Sequence, residues 1–337
     1  MTQGQNDTLN VCFCFTDESG GYYRHALVAL TSVFENTTAK VRAHVLCDAS
    51  VAESSRDAFT SLAGRYGQEA VVYTVPPVSP AVLENTRACF GKGTLYRFFM
   101  PEFILESIVL YLDCDVICTM DVASIFSTDM GALPVAGAPD TGMLDEPGGE
   151  RRLRALGLDP AQYVNAGVML YNLDKLRNEY SDYADAVFAS TGERKFPYPS
   201  QDPMNLYFQG KGLKVAVLPE ECNYLIGIRD RAYLDPCEYA GKILHYVNDK
   251  PWKALYPAAL QYWKYYALAF SCIDAFAGMD KLGRHEHAHL FSFLLRNPKI
   301  RRMVNRISQI EEQGLWETML DRLLPGRRRQ KRKANIS

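Results

Sequence analysis

Over the first 75 positions the pattern of apolar and polar residues predicts strand, helix, strand, helix, strand. Residues 11–15 (VCFCF) form a short apolar β-type run that ends in the loop composition of residues 16–21 (TDESGG). Residues 22–36 then carry Ala26, Leu27, Leu30, Val33 and Phe34 on one helical stripe. Residues 41–47 predict a second strand, 53–66 a second helix and 70–75 a third strand. Such alternation points to a parallel sheet covered by helices, an α/β class, at the size of a nucleotide-binding half.

The pattern continues with a helix over 95–107, despite Pro101, and a long apolar run at 108–118 (IVLYLDCDVIC). Short strands are expected at 135–138, 166–171, 215–219 and 243–247, a loop or lid over 143–160, and a helix over 174–189. Beyond Trp252 no strand pattern appears, and helical segments alternate with basic clusters. The expected organisation is therefore a catalytic domain over 1–252, a helical region over 253–325 and a basic tail over 326–337, without internal repeats.

Composition narrows the class. The chain has 337 residues, 47% apolar and 23% charged, which excludes disorder or a collagen-like repeat as a description of the whole. The formal net charge of -2 argues against a generally basic nucleic-acid binder. Residues 326–337 hold six of the 37 basic side chains and no acidic one, so the rest carries 31 basic against 39 acidic residues. The polar first ten residues lack the apolar core of a secretory signal, and no stretch reaches the ~18 apolar residues of a membrane span. The nine cysteines are odd in number, scattered and without a C-x-x-C. They read as buried reduced thiols of a cytoplasmic protein.

The most informative residues are Asp113 and Asp115, inside the apolar run at 108–118. In a strand, carboxylates at i and i+2 point to the same side, and two like charges buried together without a partner are costly. Either the run ends at a solvent-facing sheet edge, or a divalent cation sits between the carboxylates. Oxygen ligands suit Mg²⁺ or Mn²⁺. In open α/β sheets ligands bind beyond the carboxyl ends of strands, where this pair is expected.

Further motifs stand in order around that pair. Thr94-Leu95-Tyr96-Arg97 precedes it. Val164-Asn165-Ala166-Gly167-Val168, then Gln201-Asp202-Pro203-Met204-Asn205, then His245 through Lys250-Pro251-Trp252 follow it. This ordered set, over residues 11 to about 252, resembles glycosyltransferase family 8, which includes bacterial lipooligosaccharide galactosyltransferases, lipopolysaccharide glucosyl- and galactosyltransferases, and glycogenin.

The resemblance implies a GT-A fold, a UDP-hexose donor (glucose or galactose), Mn²⁺ or Mg²⁺, and retention of the anomeric configuration. It implies Asp113, Asp115 and His245 as metal ligands. It implies Lys250 as a diphosphate contact, where a cation would stabilise developing charge. Asp17 and Tyr22 match the uracil-recognising aspartate and stacking tyrosine, with Thr16 and Cys114 counted into the same nucleotide-sugar site. Thr94 and Arg97 match positions near ribose and donor sugar, Asp140 a sugar-hydroxyl acceptor, and Asn165 and Ala166 donor-sugar contacts. Gln201 matches the residue at the β-face of the anomeric carbon. Asp202, counted with Gln201 as catalytic, is alternatively a helix cap.

Three departures from the family pattern stand out. Ser200 occupies the place of an aspartate, the spacing from His245 to Lys250 is one residue short with Asn248 in place of glycine, and Asp17 and Tyr22 are farther apart than usual. The expected mechanism is attack by the acceptor hydroxyl on the face from which UDP departs, because no carboxylate is securely placed as a nucleophile. The expected acceptor is a surface glycan of the lipopolysaccharide type. A soluble protein or polysaccharide acceptor, and a UDP-sugar-binding relative without transfer activity, are the alternatives.

Other features are weighed against this. His285-Glu286-His287-Ala288-His289 fits H-E-x-x-H, a zincin pattern, but a histidine-rich polar helix end is the plainer account. Residues 205–210 (NLYFQG) are read as native helix and turn. Residues 290–295 (LFSFLL), Arg296, Lys299, Arg301, Arg302, Arg306 and the tail suit an interfacial amphipathic helix. Each basic residue near an anionic leaflet is worth ~1 kcal/mol. The expected location is therefore cytoplasmic and peripheral on the inner face of the membrane. The alternative is a helix packed on the body and a solubilising tail.

Overall fold

The computed structural model describes residues 8–86, 91–227, 239–253, 256, 258–270 and 298. The described residues fall into two compact units, one made of those in 8–227 and 239–248, the other of those from 249 onward.

In the first unit the strands are β1 (Thr8–Phe15), β2 (Lys40–Cys47), β3 (Glu69–Thr74), β4 (Ile108–Leu112), β5 (Val116–Cys118), β6 (Val135–Pro139), β7 (Val164–Asn172), β8 (Ala216–Val217), β9 (Tyr224–Leu225) and β10 (Ile243–His245). Seven form one sheet in the order β3-β2-β1-β4-β7-β6-β8, and β5, β10 and β9 form a second. β1 is parallel to β2, with Val11 opposite Ala43, and parallel to β4, with Val11 opposite Leu110. β7 runs antiparallel to β4 and β6. The sheet is therefore mixed, with its parallel half where the sequence predicted one. β1, β4 and β7 lie inside the sheet and are almost wholly buried, as near-continuous apolar runs require. β3 lies at the edge, and none of its six residues is fully buried.

The helices are α1 (Tyr23–Asn36), α2 (Glu53–Arg65), α3 (Pro80–Asn85), α4 (Met100–Phe103), α5 (Ala123–Phe126), α6 (Thr141–Asp145), α7 (Gly149–Ala155), α8 (Leu173–Glu179), α9 (Tyr183–Glu193) and α10 (Gln201–Gly210). α1 buries every residue from Ala26 to Phe34, well beyond the expected stripe. The second sheet is bonded to its other side: Ser32 Oγ accepts from the Cys118 amide at 2.8 Å, and Asn36 Nδ2 donates to the Cys118 carbonyl at 3.0 Å.

Four expectations about local structure are corrected. The run at 108–118 is not one strand: it leaves the main sheet after Leu112, turns through Asp113-Cys114-Asp115, and resumes as β5 in the second sheet. The helix expected over 95–107 is a 3-10 helix over Lys92–Phe99 followed by α4, which ends at Phe103. The helix over 174–189 is two, broken at residues 180–182. The loop over 143–160 contains most of α6 and all of α7. The segment at 205–210 is the body of α10, as expected.

In the second unit α11 (Ala259–Ala269) packs its Tyr262 ring 5.6 Å from Trp252, and Tyr266 lies 4.8 Å from Phe270. The H-E-x-x-H segment, the expected interfacial helix and the basic tail lie outside the described residues. Among the described residues no helix is long and apolar enough to cross a membrane. Cys12, Cys14, Cys47, Cys114, Cys118 and Cys222 are free and buried, whereas Cys89, Cys237 and Cys272 lie outside the described residues.

Candidate active site

Where β4 ends, the chain must cross from one sheet to the other, and Asp113 and Asp115 stand on that crossing. The Asp113 amide donates to the Gly167 carbonyl at 2.8 Å, which holds the turn against β7. β10 runs antiparallel to β5 with His245 opposite Val116, which brings the imidazole to the carboxylates. His245 Nε2 lies 3.4 Å from Asp115 Oδ1 and 3.8 Å from Asp113 Oδ2. One ligand atom from each of the three lies within 4.8 Å of the others, so the set can hold a metal ion. Two hard carboxylate oxygens and one imidazole nitrogen suit a divalent ion of the Mn²⁺ or Mg²⁺ kind.

The cluster stands against a bare stretch of backbone. A Cβ on Gly167 would lie 2.1 Å from His245 Cε1 and 2.9 Å from Asp113 Oδ2. Only glycine leaves room for the ring and the carboxylate together.

Asp113 is held from behind. Arg97 Nη2 donates to its Oδ1 at 2.8 Å, and the Tyr111 hydroxyl donates to the same oxygen at 2.5 Å. The Arg97 side chain is 1% exposed. It donates to the carbonyls of Thr94 and Ala166, and lies 4.1 Å from the centre of the Tyr111 ring. Burial works against its charge, but Tyr111, Asp113 and Tyr171 outweigh that and raise its pKa. Arg97 thus makes its described contacts within the protein, as the counter-charge of an aspartate in the candidate metal-ligand set.

A second polar layer connects the cluster to α10. His245 Nδ1 lies 2.9 Å from Asn223 Oδ1, and Asn223 Nδ2 donates to Asn165 Oδ1 at 2.9 Å. Asn165 Nδ2 donates to Asp140 Oδ2 at 3.0 Å, and Gln201 Nε2 donates to the same oxygen at 2.7 Å. Gln201 Oε1 accepts the Ala166 amide at 3.0 Å. Asp140 Oδ1 also caps α6 by accepting from the Met143 amide. Asp140, Asn165, Ala166 and Gln201, scattered in sequence, thus meet in one buried network. Asn205 anchors that network to β7 by pairing with both the amide and the carbonyl of Val164 at 3.0 Å.

Asp202 meets that network through the Tyr163 hydroxyl, which accepts from Gln201 Nε2 at 3.0 Å. Its Oδ1 accepts from the Tyr163 hydroxyl at 2.6 Å, and its Oδ2 accepts from the Tyr198 amide at 3.0 Å. Arg152, from α7, reaches it at 3.1 Å. The residue is completely buried. Burial, and then the charge of Asp202, raise the Tyr163 pKa, so that phenol stays a donor.

The loop after β1 forms a separate neighbourhood. Asp17 Oδ1 accepts from the amides of Gly21 and Tyr22 at 2.7 Å each, and Oδ2 from Tyr23 at 3.3 Å, so the carboxylate tethers the start of α1. Tyr22 lies 6.3 Å from Phe15, ring to ring. Thr16 Oγ1 is 3.0 Å from Ser50 Oγ and donates to Asp48. Asp48 also binds Lys92 at 2.9 Å and Tyr96 at 2.8 Å. Burial alone would raise the Asp48 pKa, but hydrogen bonds from Lys92, Ser50 and Tyr96 hold it down at about 2. Thr94 Oγ1 lies 2.8 Å from Ser200 Oγ. The Cys114 thiol is buried against the Cys14 carbonyl, and burial pushes its pKa well up. Lys250 belongs to the second unit, at the start of the turn in which the Lys253 amide donates to its carbonyl.

Asn223, Tyr163 and Arg152 were not singled out from the sequence. Each sits in a segment without periodicity, and only folding shows what it touches.

Comparisons with known proteins bear on the family and the fold. The probable glycosyl transferase Gly of Streptococcus gordonii is 26% identical over 202 residues, 58% of this chain and 27% of its own length. The lipopolysaccharide 1,2-glucosyltransferase of Escherichia coli K12 is 29% identical over 196 residues, 53% of this chain and 54% of its own. The chain thus spans about a quarter to a half of these relatives. Among solved structures, galactosyltransferase LgtC, in complex with donor and acceptor sugar analogues, superimposes with a TM-score of 0.62 at 21% identity. That superposition covers 78% of this chain and 97% of LgtC. The fold is that of the GT-A glycosyltransferases. Residues 10–255 match the profile of glycosyl transferase family 8, and on a match that covers well over half of its length the chain belongs to that family.

Proposed function

We propose that this glycosyltransferase moves glucose or galactose from a UDP-hexose, with retention of configuration, to a surface glycan of the lipopolysaccharide type. The observation that carries the reading is the meeting of Asp113, Asp115 and His245 at the end of β4. A divalent ion held there, Mn²⁺ or Mg²⁺, would neutralise the charge that develops on the departing diphosphate. Asp113 is aimed by Arg97 and Tyr111, and His245 is held by Asn223. Lys250 serves as a further diphosphate contact. Thr16, Asp17, Tyr22, Thr94 and the main chain at Cys114 line the nucleotide side, and Asp140, Asn165, Ala166 and Gln201 the sugar side.

Retention by same-face attack is favoured over a covalent intermediate. Asp202 is fully buried and its oxygens are occupied by Arg152, Tyr163 and Tyr198, so it acts by positioning Gln201 and α7. Gln201 itself is bonded at both ends of its amide. Likeness to the E. coli glucosyltransferase supports the surface-glycan acceptor. The apolar and basic C-terminal sequence supports peripheral attachment to an anionic inner leaflet.

UDP release from a panel of UDP-sugars, with and without Mn²⁺, compares wild type with Asp115→Asn. Metal-dependent release from one UDP-hexose, lost in the variant, is expected. Mn²⁺-independent release, or release undiminished in Asp115→Asn, would overturn the metal assignment. A second reading, a UDP-sugar-binding relative without transfer, draws on Ser200, whose hydroxyl pairs with Thr94 where the family pattern has a carboxylate. It predicts UDP binding without turnover of any donor.

A further inference from the structure

We infer that Asn223 is a positioning residue that determines which ring nitrogen of His245 is presented to Asp113 and Asp115. The inference rests on the metal-site reading above.

Its starting point is a main-chain group whose polarity is not open to choice. The Gly167 amide can only donate, and it lies 2.9 Å from the Asn165 side chain. That atom of Asn165 is therefore its oxygen, and the nitrogen is the one directed at the Asp140 carboxylate, 3.0 Å away. The Asn165 oxygen takes a second bond, at 2.9 Å, so the Asn223 atom facing it is the nitrogen. The Asn223 oxygen must then face His245 Nδ1, at 2.9 Å. An amide oxygen only accepts, so Nδ1 carries a proton. In the neutral imidazole this leaves the lone pair on Nε2, the atom 3.4 Å from Asp115 and 3.8 Å from Asp113.

A neighbouring amide leads independently to the same carboxylate. The Ala166 N–H donates to Gln201 Oε1, so Gln201 Nε2 is the donor to Asp140. Two successive N–H groups of β7 thus set the direction of every bond from α10 to the imidazole. Reversing the Asn223 amide would oppose two oxygens at Asn165. Asn223 is 1% exposed, so water is poorly placed to repair such a fault. Partners of this kind, behind a metal-ligating histidine, typically carry a 10- to 100-fold effect on metal affinity.

The test has two arms on the full chain. Nitrogen-15 spectra of histidine-labelled wild type, with His245 assigned through His245→Gln, read the protonation of each ring nitrogen directly. A proton on Nδ1 is expected; a bare Nδ1 overturns the inference. The second arm measures Mn²⁺ affinity by electron paramagnetic resonance in the absence of donor. Asn223→Leu is expected to bind about 10- to 100-fold more weakly. Asn223→Asp, which keeps an acceptor for Nδ1–H, is expected to bind within a few-fold of wild type while turning over donor poorly, because it repels the Asn165 oxygen. Equal affinity of Asn223→Leu and wild type would overturn the inference, as would an equal loss in both variants. Absence of Mn²⁺ binding by wild type, with Nδ1 still protonated, would instead sink the metal-site reading and leave the hydrogen-bond assignment standing.

Discussion

Arg97 holds Asp113 through a 2.8 Å charge-assisted bond while its guanidinium lies 4.1 Å from the centre of the Tyr111 ring, whose hydroxyl binds the same carboxylate. The arginine is buried and also serves the carbonyls of Thr94 and Ala166. One side chain therefore connects the 3-10 helix, the end of β4 and the start of β7. Arg97→Met should leave a partly exposed carboxylate and two carbonyls without that partner, at a cost of roughly 1–3 kcal/mol. Arg97→Lys should recover only part, because an ammonium cannot reproduce the planar fork. Urea unfolding of the three proteins measures both effects.

Gly167 stands directly against two of the candidate metal ligands, His245 and Asp113. Gly167→Ala places a methyl 2.1 Å from His245 Cε1. The imidazole must move, and Mn²⁺ affinity is expected to fall at least tenfold while far-ultraviolet circular dichroism stays that of the wild type. Unchanged affinity would show that the ring is not needed where it stands.

Asp202 offers a contrast between anchoring and nucleophilic roles. Asp202→Asn removes the buried charge opposite Arg152 but keeps an acceptor for Tyr163. The expected result is a clear fall in melting temperature with transfer reduced about tenfold or less, since each tenfold in rate is about 1.4 kcal/mol of barrier. A trapped glycosyl adduct on Asp202 in wild type would show the opposite role.

Acid stability should report on His44. Burial lowers its pKa from 6.5 to about 4; Glu106 partly opposes this and Arg42 assists it. The folded state thus binds this proton more weakly than the unfolded chain. Its stabilising contribution is complete above pH 6.5 and is lost as pH falls from 6.5 towards 4, with a slope of up to about 1.4 kcal/mol per pH unit. Asp48, held at about 2, adds a further loss only below its ordinary value of 3.8. Urea midpoints between pH 8 and 4.5 should therefore fall with acid, and His44→Gln should flatten that fall.

The chain's own pattern determined a good deal. A run such as residues 11–15 is apolar because both faces of a central strand are covered, and that burial writes itself into consecutive residues. The spacing of Asp113 and Asp115 inside such a run marked the site for a chemical reason: paired charges are costly there unless something compensates them. The motifs around Arg97, Asn165, Gln201 and His245 were legible through their resemblance to a family.

Only the tertiary structure decided what those residues touch. The break after Leu112 is invisible in sequence because Val116, Ile117 and Cys118 are as apolar as Ile108 to Leu112, yet the two stretches pair with different strands. Arg97 turned out to grip Asp113, and Asp202 to be gripped by Arg152, because a hydrogen bond depends on distance in space and not along the chain. Asn223 carries no local signal at all. Its importance comes from standing between Asn165 and His245, residues 58 positions before it and 22 after it, which β7 and β10 bring within hydrogen-bonding reach.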